Sequence, residues 1–318
     1  MSKFCWRQPK LITAASKLGL PRRTLAIPSI ADEATVPKGR SGWVPTPLLR
    51  RVAVITGSSS GIGKGIALEM AHAGSDVCIN YYSASPADDA AAEDVARQVR
   101  EIGRRAIIYA ADVSDRAALE GMFDEAEAQL GPVDVLVTNA ITSTRSNILE
   151  TRADDFEKTL KIGIFGVFHA LQIFSRRLIA RGQAATGAKG AAVHICSPHT
   201  KGPFKESLDY NVAKAGAHHL VLSTANELMW SGIRVNIVQP GWTYTEGELR
   251  LYSEEVLQQA AKEMPLRRLC MPEDIGKAAV WLCSEEASYV TGACITVDGG
   301  QFIETAPSWK TTGRHGES

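Results

Sequence analysis

Residues 52–63 read VAVITGSSSGIG, and this stretch decides the fold. A short apolar run, Val52–Ile55, leads straight into a turn with three glycines, and apolar residues at helical spacing follow. Glycines let the backbone turn tightly and come close to a pyrophosphate, which then meets the free N–H groups and the positive dipole end of the helix. The stretch therefore predicts a dinucleotide-binding strand–turn–helix unit. The predicted contacts come from Gly57, Ser58, Ser60, Gly61, Ile62 and Gly63.

Beyond this unit, short β-branched runs alternate with longer amphipathic runs as far as residue 303. The alternation predicts parallel βαβ units and a sheet that helices cover on both faces. We expect one α/β domain over residues 49–303, a doubly wound Rossmann-type fold with a seven-stranded parallel sheet. The predicted strands are 52–56, 76–81, 106–110, 133–138, 192–196, 234–238 and 294–297. The predicted helices are 62–73, 86–102, 116–130, 153–181, 208–230, 253–263 and 272–284.

The segments that flank this domain differ from it in composition. The first thirty residues carry six basic residues and no acidic one, and six prolines recur between positions 9 and 47. Residues 1–48 are therefore expected to form a flexible, basic, proline-rich extension. An organellar transit peptide is the alternative, because such peptides are also poor in acidic residues. Residues 304–318 are expected to form a polar C-terminal tail.

The overall composition disfavours several classes of protein. The chain has 35 basic and 35 acidic residues, so its formal net charge is +0 and nothing draws the whole molecule to nucleic acid or to an anionic membrane. No run of about eighteen apolar residues occurs. The six cysteines form no C-x-x-C pair, which argues against a disulfide framework and a metal site. A small-molecule partner and a cytoplasmic location are the expectation.

A second group of polar residues follows the predicted fifth strand. Ser197 ends that strand, and the next helix carries Tyr210 and Lys214. A spacing of four places Tyr210 and Lys214 on one helical face, so the ammonium lies near the phenol. Phenols ionise near pKa 10, and cationic neighbours such as a lysine and an oxidised nicotinamide favour the phenolate that acid–base chemistry near neutrality needs. We expect Tyr210 to be the acid/base and Ser197 to hydrogen-bond the substrate oxygen.

Taken in order, the turn T-G-x-x-x-G-x-G, Ser197 and Tyr210-x-x-x-Lys214 resemble the short-chain dehydrogenase/reductase family, over nearly all of residues 50–303. The resemblance implies an NAD(P)-dependent oxidoreductase that interconverts a secondary alcohol and a carbonyl by hydride transfer. It also implies a homotetramer built on the long fifth and sixth helices, with a homodimer left open. Further cofactor contacts are implied for Asp112, Val113, Asn139, Ala140, Tyr210, Lys214, Pro240, Gly241, Thr243 and Thr245.

Two positions depart from the pattern of that family. The family usually has Asn-Asn-Ala-Gly after the fourth strand, whereas this chain has Thr-Asn-Ala-Ile at 138–141 and loses the backbone freedom of the last glycine. Gly163 stands where the family usually has an asparagine that holds a water joining the lysine to bulk solvent. A glycine leaves room for an extra water in place of the amide, which would preserve the proton supply. The rival interpretation is a dinucleotide-binding protein with weak catalysis.

The cofactor preference depends on the end of the second strand. That strand ends Asn80-Tyr81-Tyr82-Ser83, without the acidic residue that binds the ribose hydroxyls of NAD. Its absence removes repulsion against a 2′-phosphate, and Ser58 and Ser83 are candidate donors to that phosphate. NADP(H) is therefore favoured over NAD(H), with use of both left open, and Tyr81 and Ser83 join the predicted cofactor residues.

The predicted substrate region is polar. Charged residues dominate the loop between Ser197 and Tyr210, which suits a hydroxyl-rich or charged substrate, although a solvated surface loop would carry the same charges. The stretch resembles the glucose 1-dehydrogenase branch most, so a sugar is the expected substrate; a 3-oxoacyl thioester, the substrate of the 3-oxoacyl-[acyl-carrier-protein] reductase branch, is the alternative. His199 and Trp242 are the candidate substrate residues. Residues 243–264 lie where the family has a mobile lid.

Overall fold

The computed structural model of the protein describes residues 46–182 and 190–303. The predicted N-terminal extension, residues 1–48, lies outside the described residues except for its last three positions. The predicted tail, residues 304–318, lies outside them entirely.

Seven parallel strands form one sheet. The strands are β1 Val52–Ile55, β2 Asp76–Tyr81, β3 Ala106–Ala110, β4 Val135–Thr138, β5 Ala191–Ile195, β6 Arg234–Pro240 and β7 Cys294–Val297. Their order across the sheet is β3-β2-β1-β4-β5-β6-β7, so β1 pairs with both β2 and β4 and the order reverses there. Ligands of such sheets bind beyond the carboxyl ends of the strands at this switch point. The predicted doubly wound, seven-stranded fold is confirmed.

Helices cover both faces of the sheet. They are α1 Gly61–His72, α2 Pro86–Glu101, α3 Arg116–Leu130, α4 Ala153–Leu160, α5 Val167–Ala180, α6 Leu208–Leu228, α7 Glu246–Leu249, α8 Glu254–Glu263 and α9 Pro272–Cys283. Alternating strand residues face opposite layers: Ile55 belongs to the apolar cluster under α1, α2 and α9, whereas Val54 belongs to the cluster under α3, α5 and α6. The predicted lid region, 243–264, contains the short helices α7 and α8.

The helix predicted over 153–181 is interrupted. A π-helical turn, Lys161–Gly166, separates α4 from α5 and contains two buried glycines, Gly163 and Gly166. A Cβ added at Gly166 would lie 2.8 Å from Val113 Cγ2, so the close approach of this turn to the β3–α3 connection depends on glycine. The 3.6-residue periodicity continues on both sides of the turn, which is why the sequence pattern did not predict it. Single π turns occur frequently at functional sites.

The same helical stretch is the one candidate membrane span among the described residues. By length and composition alone, the helical stretch Ala153–Ala180 is long enough and apolar enough to cross a membrane. The mean hydropathy of its most apolar window is 1.3. Half of the apolar window is buried inside the domain. Buried core helices meet the same criteria, and most of the apolar side chains of α5 belong to the second core cluster, which accounts for the composition.

The cysteines of the described residues are all free thiols. Burial raises the pKa of Cys78 and of Cys283 to about 12, so these thiols stay protonated and behave as small core side chains. In the same described ranges, no group of three or more His, Cys, Asp or Glu side chains is placed to hold a metal ion.

Candidate active site

The glycine-rich turn between β1 and α1 has the geometry that a phosphate cradle requires. Gly57 and Gly61 have φ angles of +63° and +53°, which other residues rarely adopt. A Cβ added at Gly63 would lie 2.0 Å from the Gly57 carbonyl oxygen. Within the described residues, the side chain of Ser60 makes no capping bond to α1, so this side chain does not occupy the N–H groups at the start of the helix. These features fit the pyrophosphate of a dinucleotide.

Side chains from neighbouring strands hold this turn in place. Asn80 Oδ1 accepts a hydrogen bond from the Gly57 N–H at 3.2 Å, and Asn80 Nδ2 donates to the Ala111 carbonyl at 3.1 Å. Asn139 Nδ2 donates to the Gly57 carbonyl at 2.9 Å. Asn80 was not assigned a role from the sequence, although a polar residue inside a buried strand is a signal that could have identified it.

The two serines expected to bind a 2′-phosphate have other partners. Ser58 is fully buried, and its hydroxyl donates to the Ile55 carbonyl at 2.8 Å, behind the turn. The Ser83 hydroxyl donates to Asp89 Oδ1 at 2.7 Å. Tyr81 also hydrogen-bonds Asp89, and burial together with this bond raises the pKa of Tyr81. The prediction that the Ser58 hydroxyl donates to the cofactor phosphate is therefore wrong, and the carboxylate of Asp89, on α2, lies beside Ser83 just after β2.

A carboxylate of the lid contacts the phosphate cradle. Glu246, the first residue of α7, accepts a hydrogen bond from the Gly61 N–H at 3.2 Å. This N–H belongs to the helix end at which a pyrophosphate is expected. The Glu246 carboxylate thus accepts the hydrogen bond that a pyrophosphate oxygen of the cofactor is expected to accept. No local sequence pattern predicted this contact.

The turn and the adjoining strand ends line a cleft of about 520 Å³ across the switch point, the cofactor cleft. Asp112 lines it, and its carboxylate accepts from both the N–H and the hydroxyl of Ser114 at 2.8 Å. Val113, the next residue, is buried. The predicted cofactor residues that line this cleft are Gly57, Ser60, Gly61, Ile62, Gly63, Tyr81, Asp112, Val113, Asn139, Ala140 and Thr245.

A second cleft of about 430 Å³, the substrate cleft, shares Ile62 and Thr245 with the first. Ser197 and Tyr210 both line it. Lys214 is buried behind Tyr210: its Nζ donates to the Ile195 carbonyl at 2.7 Å and lies 5.5 Å from the centre of the Tyr210 ring. The structure thus brings Ser197, Tyr210 and Lys214 together where the two clefts meet.

The loop after β6 forms the floor between the clefts. A Cβ at Gly241 would lie 2.7 Å from Asp298 Cα, so glycine lets the loop after β7 approach. The Thr243 hydroxyl donates to the Gly241 carbonyl at 2.9 Å, and the Thr245 hydroxyl caps α7 by accepting from the Glu248 N–H. The predicted residues Pro240, Gly241, Thr243 and Thr245 all line the substrate cleft.

Aromatic rings form one wall of the substrate cleft. His199 stacks on Phe204 with ring centres 4.1 Å apart and meets the edge of Tyr210 at 4.9 Å. His199 Nδ1 lies 2.6 Å from Asn211 Oδ1, while Asn211 Nδ2 donates to the Phe204 carbonyl. Because Oδ1 can only accept, Nδ1 carries the proton of the neutral ring. Burial lowers the pKa of His199, and the charges of Arg145 and Lys214 act in the same direction. His199 is therefore a cleft residue and not a solvated surface histidine.

The opposite wall comes from the lid. Trp242 lines the cleft, packs edge-on against Tyr252 at 5.5 Å, and donates its indole N–H to Glu248 at 2.7 Å. Glu248 also lies 3.5 Å from the guanidinium of Arg145, which places a charge pair at the rim. The cleft thus combines apolar ring faces with polar and charged groups at its edge, as small-molecule sites do.

Comparisons with known proteins identify the family of this chain. A family model described as Enoyl-(Acyl carrier protein) reductase matches residues 57–301. The chain belongs to the short-chain dehydrogenase/reductase family.

Its relatives are dehydrogenases of similar length. Glucose 1-dehydrogenase 2 of Bacillus subtilis is 31% identical over 257 residues, which cover 80% of this chain and 96% of the relative. L-rhamnose 1-dehydrogenase (NAD(P)(+)) of Sphingomonas sp. is 34% identical over 255 residues, with the same coverages of 80% and 96%. A solved 7α-hydroxysteroid dehydrogenase, complexed with NADH and 7-oxo glycochenodeoxycholic acid, has a TM-score of 0.72 and 32% identity, and the match covers 81% of this chain and 96% of that one. This protein is an NAD(P)-dependent oxidoreductase of alcohols or carbonyls.

Asp209 is a site residue that the sequence analysis treated only as a loop charge. It is fully buried, and its carboxylate accepts from the Thr159 hydroxyl at 2.7 Å, the Ser143 hydroxyl at 3.0 Å and the Tyr210 N–H at 2.8 Å. Burial acts to raise the pKa of Asp209, but these hydrogen bonds outweigh it and the pKa is lowered. The ionised carboxylate fixes the start of α6, and hence Tyr210, against α4 and the loop after β4.

The two departures from the family pattern are one packing arrangement. A Cβ added at Gly163 would lie 2.6 Å from Ile141 Cδ1 and 3.0 Å from Ala213 Cβ. Ile141 is the residue that replaces the last glycine of the family's Asn-Asn-Ala-Gly. Its side chain therefore fills the space beside Gly163, and the expectation of an extra water in that space is wrong.

Proposed function

We propose that this protein interconverts a cyclic secondary alcohol, a sugar in the first instance, and the corresponding carbonyl compound. The observation that carries the proposal is the convergence of Ser197, Tyr210 and Lys214 at the junction of the cofactor and substrate clefts. The bound dinucleotide accepts or supplies the hydride. The remaining chemistry is proton transfer and charge stabilisation, which these three side chains provide.

Each of the three residues has its own role in the proposal. The Ser197 hydroxyl donates a hydrogen bond to the substrate oxygen and steadies its developing charge. In oxidation, the Tyr210 phenolate takes the proton of the substrate hydroxyl while the hydride leaves the carbon that bears this hydroxyl. In reduction, the Tyr210 phenol donates a proton to the carbonyl oxygen of the substrate. Lys214, held by the Ile195 carbonyl, stabilises the phenolate electrostatically.

The walls of the substrate cleft support a cyclic, hydroxyl-bearing substrate. A ring can stack against the aromatic wall of His199 and Phe204, while Arg145 and Glu248 at the rim offer a donor and an acceptor to hydroxyl groups. Two relatives are named as sugar 1-dehydrogenases. A 3-oxoacyl thioester is the second candidate, because Phe302 adds an apolar contact beside Phe204 and the matching family model is described by acyl-carrier-protein chemistry.

For the cofactor we propose that NADP(H) is preferred to NAD(H), as the sequence of β2 suggests. The end of β2 itself, Tyr81 to Ser83, contributes no carboxylate. Asp89 limits the preference, because it accepts from Ser83 and repels a 2′-phosphate. Dissociation constants for NADPH and NADH measured by fluorescence titration decide this point, and tighter binding of NADH would reverse the proposal.

We propose a cytoplasmic homotetramer. Phe165 and Phe168, on the π turn and α5, are 54% and 41% exposed, and Val212 on α6 is 41% exposed. Exposed apolar residues on neighbouring helices are typical of subunit interfaces.

The deciding experiment is turnover with a panel of aldoses, 3-oxoacyl thioesters and simple alicyclic ketones and alcohols, followed by NAD(P)H absorbance. We expect sugar oxidation in the wild type. Tyr210→Phe should lower kcat by about 10²- to 10⁴-fold, since it removes the acid/base, and should leave the cofactor dissociation constant within about twofold. Tight cofactor binding without turnover of any substrate would overturn the proposal, and retained turnover in Tyr210→Phe would refute the role of that residue.

A further inference from the structure

His194 of β5 carries a buried nitrogen that no described residue satisfies. The side chain is 3% exposed. Its Nδ1 lies 2.9 Å from the Thr138 hydroxyl on the neighbouring strand β4. Its Nε2 is fully buried, and within the described residues it has no hydrogen-bond partner. Leaving such a buried atom unsatisfied is unfavourable, so it calls for a physical explanation.

The titratable groups that face His194 are cationic or neutral. Lys214 and His218 lie four residues apart on α6, and both act on His194 from that helix. Cys196, two residues further along the same face of β5, lies 3.9 Å from His218 Nδ1. Burial lowers the pKa of His194 well below its usual range, and the charge of Lys214 lowers it further. His194 is therefore a neutral imidazole at physiological pH. The tautomer that carries its proton on Nδ1 donates to the Thr138 hydroxyl and leaves the lone pair of Nε2 as an acceptor.

Within the described residues, one hydrogen-bond acceptor is found for the three N–H donors of Lys214. Its ammonium has three N–H donors and is buried, and one N–H goes to the Ile195 carbonyl. Ile195 follows His194 on β5, so the ammonium lies beside the strand that carries His194. A proton path from Lys214 to solvent through a water beside residue 163 is blocked, because Ile141 fills the space beside Gly163.

We propose that His194 holds, through Nε2, a water molecule that accepts a hydrogen bond from Lys214, and that this water carries protons between the lysine and solvent in place of the arrangement that an asparagine at position 163 would supply. The inference rests on the proposed function of Ser197, Tyr210 and Lys214. His194 is a positioning residue and does not itself ionise.

Each proton movement in this path is balanced. In oxidation, Tyr210 gains the substrate proton; Lys214 releases one of its N–H protons to the water and takes up the proton from Tyr210 in its place, so that Lys214 is again an ammonium and Tyr210 again a phenolate. The water in turn releases a proton towards His218, which is half-buried at the next turn of α6. Reduction runs the same transfers backwards, and no charge accumulates on His194.

The test compares two substitutions at His194 with a control on the same helix as Lys214. His194→Leu removes the acceptor, and we expect kcat of oxidation to fall about tenfold with KM within twofold, and the solvent deuterium isotope effect on kcat to rise. His194→Gln keeps an oxygen near the position of Nε2 and should stay within about threefold of the wild type. His219→Leu, an exposed position on α6, should leave the rate unchanged. Equal losses in the leucine and glutamine variants, or none in either, would overturn the proposal.

A rescue experiment separates proton transfer from packing. In the background Ile141→Gly with Gly163→Asn, the amide of the usual family pattern returns at position 163, beside Ala213, and the isoleucine no longer blocks it. There His194→Leu should cost less than about twofold in kcat. A tenfold loss that persists in this background would show that His194 acts through packing alone.

Two further measurements keep the proposal testable if His194→Leu does not fold or turnover is low. Thr138→Val removes the hydroxyl that fixes the tautomer of His194, and we expect about a threefold loss of kcat. Nitrogen-15 spectra of histidine-labelled holoenzyme should show a neutral His194 with its proton on Nδ1 at about pH 7, because the pKa of His194 is lowered. A proton on Nε2 would refute the inference while leaving the role of Tyr210, tested separately by Tyr210→Phe, untouched.

Discussion

Asp209 joins Tyr210 to two other elements through a single carboxylate. Asparagine in its place offers one acceptor oxygen and brings an NH₂ group towards the Ser143 and Thr159 hydroxyls. We expect Asp209→Asn to lower the free energy of unfolding at pH 7 by about 2–4 kcal/mol, because buried acceptors and donors lose their partners. Urea denaturation measures this change, and Asp154→Asn, at an exposed position of α4, is the matched control.

The same variant tests the pH dependence. The pKa of Asp209 is lower in the folded protein than its ordinary value, so the ionised carboxylate stabilises the fold at pH values above about 4. That contribution is lost as the pH falls through the folded pKa. The difference in unfolding free energy between the wild type and Asp209→Asn should stay constant from about pH 5 to 8 and shrink below about pH 4. A constant difference down to pH 3 would contradict the assigned ionisation.

The contact between Ile141 and Gly163 predicts a coupling at the residue scale. Gly163→Ala alone should destabilise the protein by about 1–3 kcal/mol, because the new methyl meets Ile141 Cδ1. Ile141→Val deletes that Cδ1, so the double variant should lose less than the sum of the two single changes. Unfolding free energies of the three variants form the cycle, and strict additivity would show that the two side chains do not share one space.

At the scale of elements, the contact of α7 with the start of α1 predicts an effect on cofactor binding. A dinucleotide must displace Glu246 from the Gly61 N–H, and the carboxylate repels the incoming pyrophosphate. We expect Glu246→Gln to tighten NAD(P)H binding about threefold at low salt, and less at high salt, because the group is exposed and screened. Calorimetry measures the affinity.

Glu255→Gln on α8 is the matched control for this charge change, since it lies on the neighbouring lid helix and has no contact with Gly61 among the described residues. An equal gain in both variants would mean that only the net charge of the lid matters.

Local chemistry explains which elements the sequence could predict. Sequence patterns among residues close along the chain determine the strands, the glycine turn and the spacing of Tyr210 and Lys214. The predicted bounds of the strands therefore differ from the observed ones by only a few residues. The π turn was not predictable because its cause lies in Ile141 and Val113, which contact Gly163 and Gly166 from other segments. Glu246 lies 185 residues from its partner Gly61, and no local pattern encodes such a contact.

At the scale of the whole molecule, the exposed phenylalanines predict the behaviour of the assembly. If Phe165 and Phe168 lie in subunit contacts, Phe165→Glu should convert the proposed tetramer into smaller species in sedimentation velocity experiments, because burial of a carboxylate at such a contact is costly. Trp230→Glu is the control, since Trp230 is 82% exposed just beyond α6. A wild type that sediments as a monomer, or an unchanged mass in Phe165→Glu, would contradict the proposed assembly.

The packing of Ile141 against Gly163 also limits how the sequence can change over generations. An asparagine introduced at position 163 alone collides with the isoleucine, and a glycine introduced at position 141 alone leaves an unfilled space. Each single substitution towards the usual family residues, asparagine at 163 or glycine at 141, is therefore expected to destabilise the protein when it occurs alone. We therefore expect natural variants of this protein with asparagine at 163 to occur only in lineages where position 141 had already become small.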